Sequence, residues 1–345
     1  MEPTQTLGSS RVALIATTGL ISSFCLQTAL AAEVDSEAVA QENWRQFMTH
    51  NPESAPGCFQ AAYPNFVWER TECKVATPRV HPVRRQPAAG APEVTGNGND
   101  YVASAAGLIS QTLGTFPKVT GVTSERGVGV AAFGGGGILG PNEYTLQINT
   151  NFTGTTSVCA GHSGCTVWQQ FIYSPDYQRQ GQAAVFMQYW LIGWGSSACP
   201  RGWMSAGGGD CFRNSNFVAA PDIALTSASL AKLTLSGAAV AGGNDTVVFN
   251  SGTQAYSVSG SDSVVDISAV WRQSEFNIVG NAGGSRANFN SGSSVTVKVA
   301  LTDGSTAAPS CVAGAGSTGE TNNLNLGACT TASGTNPSIQ FTESN

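Results

Sequence analysis

Ala184-Val185-Phe186-Met187-Gln188-Tyr189-Trp190-Leu191-Ile192 is an apolar run with a strongly polar, uncharged residue at its centre. Read with period two, Phe186, Gln188, Trp190 and Ile192 share one face, and Val185, Met187, Tyr189 and Leu191 the other. Both faces are apolar, which is the pattern of a strand covered on both sides. A Gln amide buried there without partners costs about 1–3 kcal/mol, so the stretch predicts that something faces Gln188. A second strand, Trp271-Arg272-Gln273-Ser274-Glu275-Phe276-Asn277-Ile278-Val279, supplies a candidate. Alternation places Trp271, Gln273, Glu275, Asn277 and Val279 on one face, with Ser274, Phe276 and Ile278 on the other. The first face is rich in polar groups and reads as a groove floor.

Outward from these two stretches, β-branched runs alternate with Gly-rich turns. Strands are expected at 101–110, 124–132, 144–152, 167–173, 184–192, 231–236, 245–250, 254–258, 275–279 and 295–301. Gly242-Gly243-Asn244-Asp245 and Asn250-Ser251-Gly252 are turn chemistry between β runs and predict a hairpin or meander. Lys232–Ser236 and Val295–Val299 alternate cleanly, each with one wet and one buried face. No helical period is sustained after Tyr101. The fold class is all-β: a two-sheet antiparallel β-sandwich, concanavalin-like, over residues 97–345, preceded by an N-terminal extension.

The N-terminus reads as an export signal over residues 1–31. Arg11 precedes the apolar stretch Val12 to Leu26, and Ala29-Leu30-Ala31 supplies small residues for cleavage. Thr, Ser and Gln interrupt that stretch, so a stable membrane anchor is not expected. Of the nine cysteines, Cys25 leaves with the signal; the remaining even number suits disulfides in an oxidising compartment. The simplest pairing joins neighbours: Cys58–Cys73, Cys159–Cys165, Cys199–Cys211 and Cys311–Cys329. Secretion, extracellular or periplasmic, is the expected destination.

Residues 32–96 form the extension. A short helix is expected from Glu37 to Met48, with Val39, Trp44 and Phe47 on one side, followed by a stapled segment Cys58 to Cys73 and a Pro-rich stretch Pro78 to Pro92. Two readings stand side by side. The extension covers a sheet edge, or it is a propeptide with Arg84-Arg85 as a processing point.

The chemistry is bounded first by what is missing. From Tyr101 onward there are nine Lys/Arg and twelve Asp/Glu, a net of 9 − 12 = −3, and no basic stripe, which argues against nucleic acid. The only histidines are His50, His81 and His162, and no G-x-S-x-G, HExxH, P-loop or CxxC motif is present. A Ser-His-Asp device and a metal site are therefore not expected, and no cofactor is called for. That leaves Glu275, a general base if its proton affinity suits the working pH, and Gln188, whose amide N–H can donate to a developing oxyanion. Trp190, Trp271 and Asn277 are the candidate substrate contacts.

The order of these elements resembles the eqolisin family of glutamic peptidases. Thr166-Val167-Trp168-Gln169-Gln170-Phe171-Ile172-Tyr173 leads through a polar turn into Ala184-Val185-Phe186-Met187-Gln188, and Ser274-Glu275-Phe276-Asn277-Ile278 follows later. The resemblance spans roughly residues 144–301. It implies a secreted β-sandwich acid endopeptidase made with a propeptide, acting on polypeptides, with Gln188 and Glu275 as the catalytic pair. Two departures stand out: no acidic residue occurs within Trp190 to Trp194, and Gly280-Asn281-Ala282-Gly283-Gly284 replaces the acidic tract after the Glu. The alternative is a non-catalytic β-sandwich module that binds a glycan or cell-surface polymer through aromatic and amide side chains. A glycoside hydrolase would need a second carboxylate beside Glu275. Glu143 and Asp266 are the sequence's nearest candidates. Oligomeric state is not legible in the sequence.

Overall fold

The computed structural model describes residues 1, 21–82, 100–131, 134–195, 198–314 and 316–345, and for residues 21–35 the helical backbone alone. The signal motif around Arg11, the side chains of Ala29-Leu30-Ala31 and the dibasic Arg84-Arg85 lie outside the described residues. The chain divides into two units, Met1–Asn43 and Trp44–Asn345. A helix, Ile21–His50, supplies the described secondary structure of the first unit and opens the second. It is longer than the expected helix, Glu37–Met48. In the second unit its buried residues are Trp44 and Met48, one turn apart, packed with Ala61 and Ala255, while Phe47 stays exposed. No helix among the described residues is long and apolar enough to cross a membrane.

The second unit is an all-β sandwich. One sheet has nine strands in the order Glu69–Thr71, Gly57–Ala62, Gln254–Ser261, Asn244–Ser251, Leu233–Ala238, Gln111–Thr120, Ser294–Thr302, Ser338–Ser344 and Asn325–Ala332. The other runs Met204–Gly207, Asp210–Asn214, Gln182–Ile192, Thr166–Arg179, Tyr144–Thr150, Gln273–Gly280, Val102–Ser104 and Ser310–Val312. To this second sheet Asn216–Ala220 adds at Gln182–Ile192, and Lys74–Val75 adds at Asn216–Ala220. Pairing within both sheets is antiparallel. A small third sheet (Thr321–Asn322, Arg286–Phe289, Glu125–Val128, Gly140–Pro141) includes one parallel pair. Both turn motifs read from the sequence connect sheet neighbours.

Alternation explains the core. Ile148, Phe171, Tyr173, Met187, Leu191, Phe276 and Ile278 of the second sheet meet Phe116, Leu235, Val247, Phe249, Val297 and Val299 of the first. Aromatic pairs cross the gap, Tyr173 with Phe249 at 3.9 Å between ring centroids and Phe116 with Phe276 at 5.1 Å. The close approach needs a missing side chain at Gly114, where a Cβ would lie 2.2 Å from the Phe276 ring.

Gly114 also explains a misreading. The expected strand 101–110 is only Val102–Ser104, and the long central strand is Gln111–Thr120. Gly114 and Pro117 within it read against a strand. Pro117 fits because the register with Ser294–Thr302 shifts between Thr296 and Lys298, so that Phe116 and Pro117 oppose Val297 alone.

The four disulfides pair as neighbours: Cys58–Cys73, Cys159–Cys165, Cys199–Cys211 and Cys311–Cys329. Cys58–Cys73 closes the segment whose strand Gly57–Ala62 pairs with Gln254–Ser261.

Candidate active site

One register row crosses the second sheet. Pairing sets Asn214 beside Gln188, Gln188 beside Gln170, Gln170 beside Asn149, and Asn149 beside Glu275. All of these side chains lie on the face turned away from the first sheet, because their neighbours Met187, Tyr189, Phe171, Ile148 and Phe276 enter the shared core. The row is hydrogen-bonded from end to end. Gln188 Nε2 donates to Asn214 Oδ1 at 2.6 Å, and Trp190 Nε1 donates to Gln188 Oε1 at 3.1 Å and Gln170 Oε1 at 3.0 Å. Gln170 Nε2 donates to Asn149 Oδ1 at 3.1 Å, and Asn149 Nδ2 to Glu275 Oε2 at 3.4 Å. These buried amides are mutually satisfied, which removes the cost that an isolated Gln188 would carry.

Gln188 and Glu275 therefore share a row and a face, but they are not each other's partners. Two strands stand between them, roughly 14 Å of backbone at the usual strand spacing. The partner that the sequence required for Gln188 is a peptide segment of the chain itself. Residues 76–82 cross the face; Gln188 Oε1 accepts from the His81 N–H at 2.9 Å and Gln188 Nε2 donates to the Arg79 carbonyl at 2.9 Å.

The Glu275 end is built differently. Glu275 Oε2 accepts from the Ser317 N–H at 2.7 Å and the Ser317 hydroxyl at 3.0 Å. Asn277 Nδ2 donates to Asp100 and, at 3.2 Å, to Glu343 Oε2. Glu275, Asp100 and Glu343 are all buried. Burial, then the charges of Glu275 and Glu343, push the Asp100 carboxyl well above the usual carboxylate range. Burial likewise pushes Glu343 up to about 7, opposed by hydrogen bonds from Asn277 and Asn322. An open cleft of about 280 Å³ lies beside Glu275, lined by Asn149, Asn151, Phe152, Gln273 and Ser317 among others.

The acidic companions of Glu275 are thus Asp100 and Glu343, in place of Glu143 and Asp266. Glu143 instead accepts from Asn281, and Asp266 from the Ser157 hydroxyl. Trp190 does lie on the site face, packed with Trp168 and Phe212. Trp271 does not: it is fully buried in the core between the sheets, stacked on Phe171. The alternation expected to carry it onto the polar face breaks because a tight turn, Ile267–Ala269, precedes it and the strand begins only at Gln273. Asn277 sits among the carboxylates. Among the described residues no group of three His, Cys, Asp or Glu is placed to hold a metal ion.

Sequence reasoning missed Gln147, Asn149, Gln170 and Asn214. A signal existed for the first two, because Gln147, Asn149 and Asn151 alternate with Leu146, Ile148 and Thr150 at period two. Asp100, Glu320 and Glu343 carried no such signal.

No protein-family model and no curated protein matches the chain. Solved structures to which the chain shows similarity include scytalido-glutamic peptidase with a transition state analog inhibitor, and SCP-B, a member of the Eqolisin family of peptidases, in complex with the tripeptide Ala-Ile-His. The first is 12% identical with a TM-score of 0.28, and the second 11% identical with a TM-score of 0.29. Each match covers 72% of this chain and 98% of the other.

Proposed function

We propose that the chain is a secreted acid endopeptidase and that the polar row is where it holds a polypeptide. One observation carries this reading: Gln188 brackets a peptide backbone, donating to one carbonyl and accepting from the N–H two residues on. An amide that donates to a peptide carbonyl is positioned to polarise it and to stabilise the oxyanion of a tetrahedral intermediate. Glu275, in the same row, is the proposed general base that takes a proton from the attacking water and passes one to the leaving nitrogen. Because two strands, roughly 14 Å of backbone, separate the two residues, their joint action on one bond requires carboxylate and amide to be brought together above the floor formed by Gln170 and Asn149. Asp100, holding its proton at acidic pH, is the neighbouring acid. No metal or organic cofactor enters this scheme.

The test is digestion of a denatured protein at acidic pH by wild type, Glu275→Gln and Gln188→Ala, with fragments read by mass spectrometry. Cleavage by wild type that both substitutions suppress supports the assignment; equal cleavage by all three sinks it. The Asp100–Glu275 pair favours a second reading, glycoside hydrolysis by two carboxylates. It predicts release of reducing sugar from a polysaccharide, lost in Asp100→Asn. A peptide lying on the Gln188–Asn214 end of the row favours the first reading over this one and over a glycan-binding module.

A further inference from the structure

The segment on the site face is held as a ligand is held. Its main chain is gripped by groups of the sheet and its loops, independent of side-chain identity. The Thr77 carbonyl accepts from Asn214 Nδ2 at 2.9 Å and the Tyr177 hydroxyl at 2.8 Å. The Arg79 carbonyl accepts from Gln188 Nε2 and from the same hydroxyl, each at 2.9 Å. The Val80 carbonyl accepts from the Gly283 N–H at 2.9 Å, and the Pro82 carbonyl from the Gly319 N–H at 2.7 Å.

Two side chains of the segment then enter environments of opposite character. Val80 packs against Trp168, Trp190 and Phe212. His81 is fully buried, its ring stacked on Tyr177 at 5.9 Å and lying 6.0 Å from Phe186. His81 Nδ1 lies 3.1 Å from Glu320 Oε1 and 3.3 Å from Gln147 Nε2. Glu320 is fixed in place, since its Oε2 accepts from Gln147 Nε2 at 2.7 Å and from the Thr318 hydroxyl at 2.8 Å. Its Oε1 has no hydrogen-bond partner among the described residues and lies at ion-pair distance from the imidazole, whose Nε2 is likewise without a partner. A buried carboxylate with no basic group beside it is costly, so this pocket discriminates against side chains that bring none to ion-pair distance of Oε1.

Resting on the reading of this face as a peptide groove, we infer that Glu320 and the Trp168–Trp190–Phe212 cluster form adjoining subsites that select a branched apolar residue followed by histidine. Thr77–Pro82 is then the chain's own occupant, and a substrate of that pattern competes with it for the same atoms. Glu320 is the specificity-determining residue: replacing histidine by leucine removes the one basic group recorded at ion-pair distance from the buried Oε1.

The probe is the blocked hexapeptide Thr-Pro-Arg-Val-His-Pro carrying a fluorophore, compared with the same peptide having Leu in place of His. Binding is followed by anisotropy on the full chain carrying His81→Ala, which weakens the internal occupant, together with Glu275→Gln so that no cleavage intervenes. The expected result is at least tenfold tighter binding of the His peptide, reduced to parity when Glu320→Gln is added. Equal affinity for the two peptides, or a preference that survives Glu320→Gln, overturns the inference. Val80→Ala weakens the occupant at the aromatic subsite instead and gives the same ordering if His81→Ala does not fold. Because the readout is binding, a clear His preference with no hydrolysis by wild type would remove the peptidase reading and leave the subsites standing.

Discussion

The two ends of the polar row differ in charge, occupancy and origin. At the Gln188 end the groups are neutral amides and aromatics, drawn from regular strands, and a peptide segment already lies on them. At the Glu275 end three carboxylates gather beside an open cleft, and two of them, Asp100 and Glu343, come from distant parts of the chain. Strand alternation builds the first end; at the second it places Glu275 and Asn277, to which a loop adds Asp100 and a strand of the other sheet adds Glu343. On the proposed function the two ends divide the labour: amides hold and polarise a peptide carbonyl, and carboxylates move protons.

The largest expected effect breaks the proton-moving end. Glu275→Gln keeps the shape and the Asn149 contact but removes the base, and should lower peptide hydrolysis about 10²–10⁴-fold. Gln188→Ala, at the other end, removes one oxyanion donor and should cost about 10²–10³-fold. Both are read as kcat/KM on a defined peptide. If Gln188→Ala instead raises KM alone, with kcat intact, the amide end only binds.

Acid titration sharpens the comparison further. Burial, with the charge of Glu143 second, pushes Glu125 up to about 9, and burial pushes Glu143 up to about 8. Asp100 and Glu343 move the same way. The sign follows directly. Below the ordinary carboxylate range, near 4, both folded and unfolded chains are protonated and this contribution is complete. As pH rises, the unfolded carboxyls ionise while the buried ones keep their protons, so stability falls between about pH 4 and the raised values. Melting should therefore be higher at pH 3.5 than at pH 8. Amide exchange around Asn277 and Ser317 should rise with pH before exchange around Gln188 does. A chain more stable at pH 8 contradicts this.

The smallest effect tests the scaffold under both ends. Gly114→Ala drives a methyl into the Phe276 ring, next to Glu275 in sequence, and should destabilise the fold by about 1–3 kcal/mol in denaturant titration. An unchanged midpoint would mean that the ring moves aside freely.

How much of this was legible in the sequence follows the same division. Period two in Ala184–Ile192 assigned Gln188 and Trp190 to one face and Met187 and Tyr189 to the other, as the structure has them. It placed Glu275 and Asn277 on the polar face for the same reason. It failed for Trp271, whose preceding turn resets the alternation. The central strand Gln111–Thr120 was hidden because Gly114 and Pro117 serve a close approach and a bulge, needs set by other strands. The occupant of the groove was hidden because a Pro-rich stretch resembles a linker, and its docking depends on Gln188, Asn214, Gly283 and Gly319, all far along the chain. Asp100, Glu320 and Glu343 meet the row only through tertiary packing, which no local pattern encodes.

The central claim is that Gln188 and Glu275 act on one bond, and a double-substitution cycle tests it most directly. Peptide kcat/KM is measured for wild type, Gln188→Ala, Glu275→Gln and the double variant. Groups that serve one step are strongly non-additive, so the double variant should fall little below the worse single variant. Losses that multiply in full, or cleavage that neither substitution lowers, would contradict a shared site.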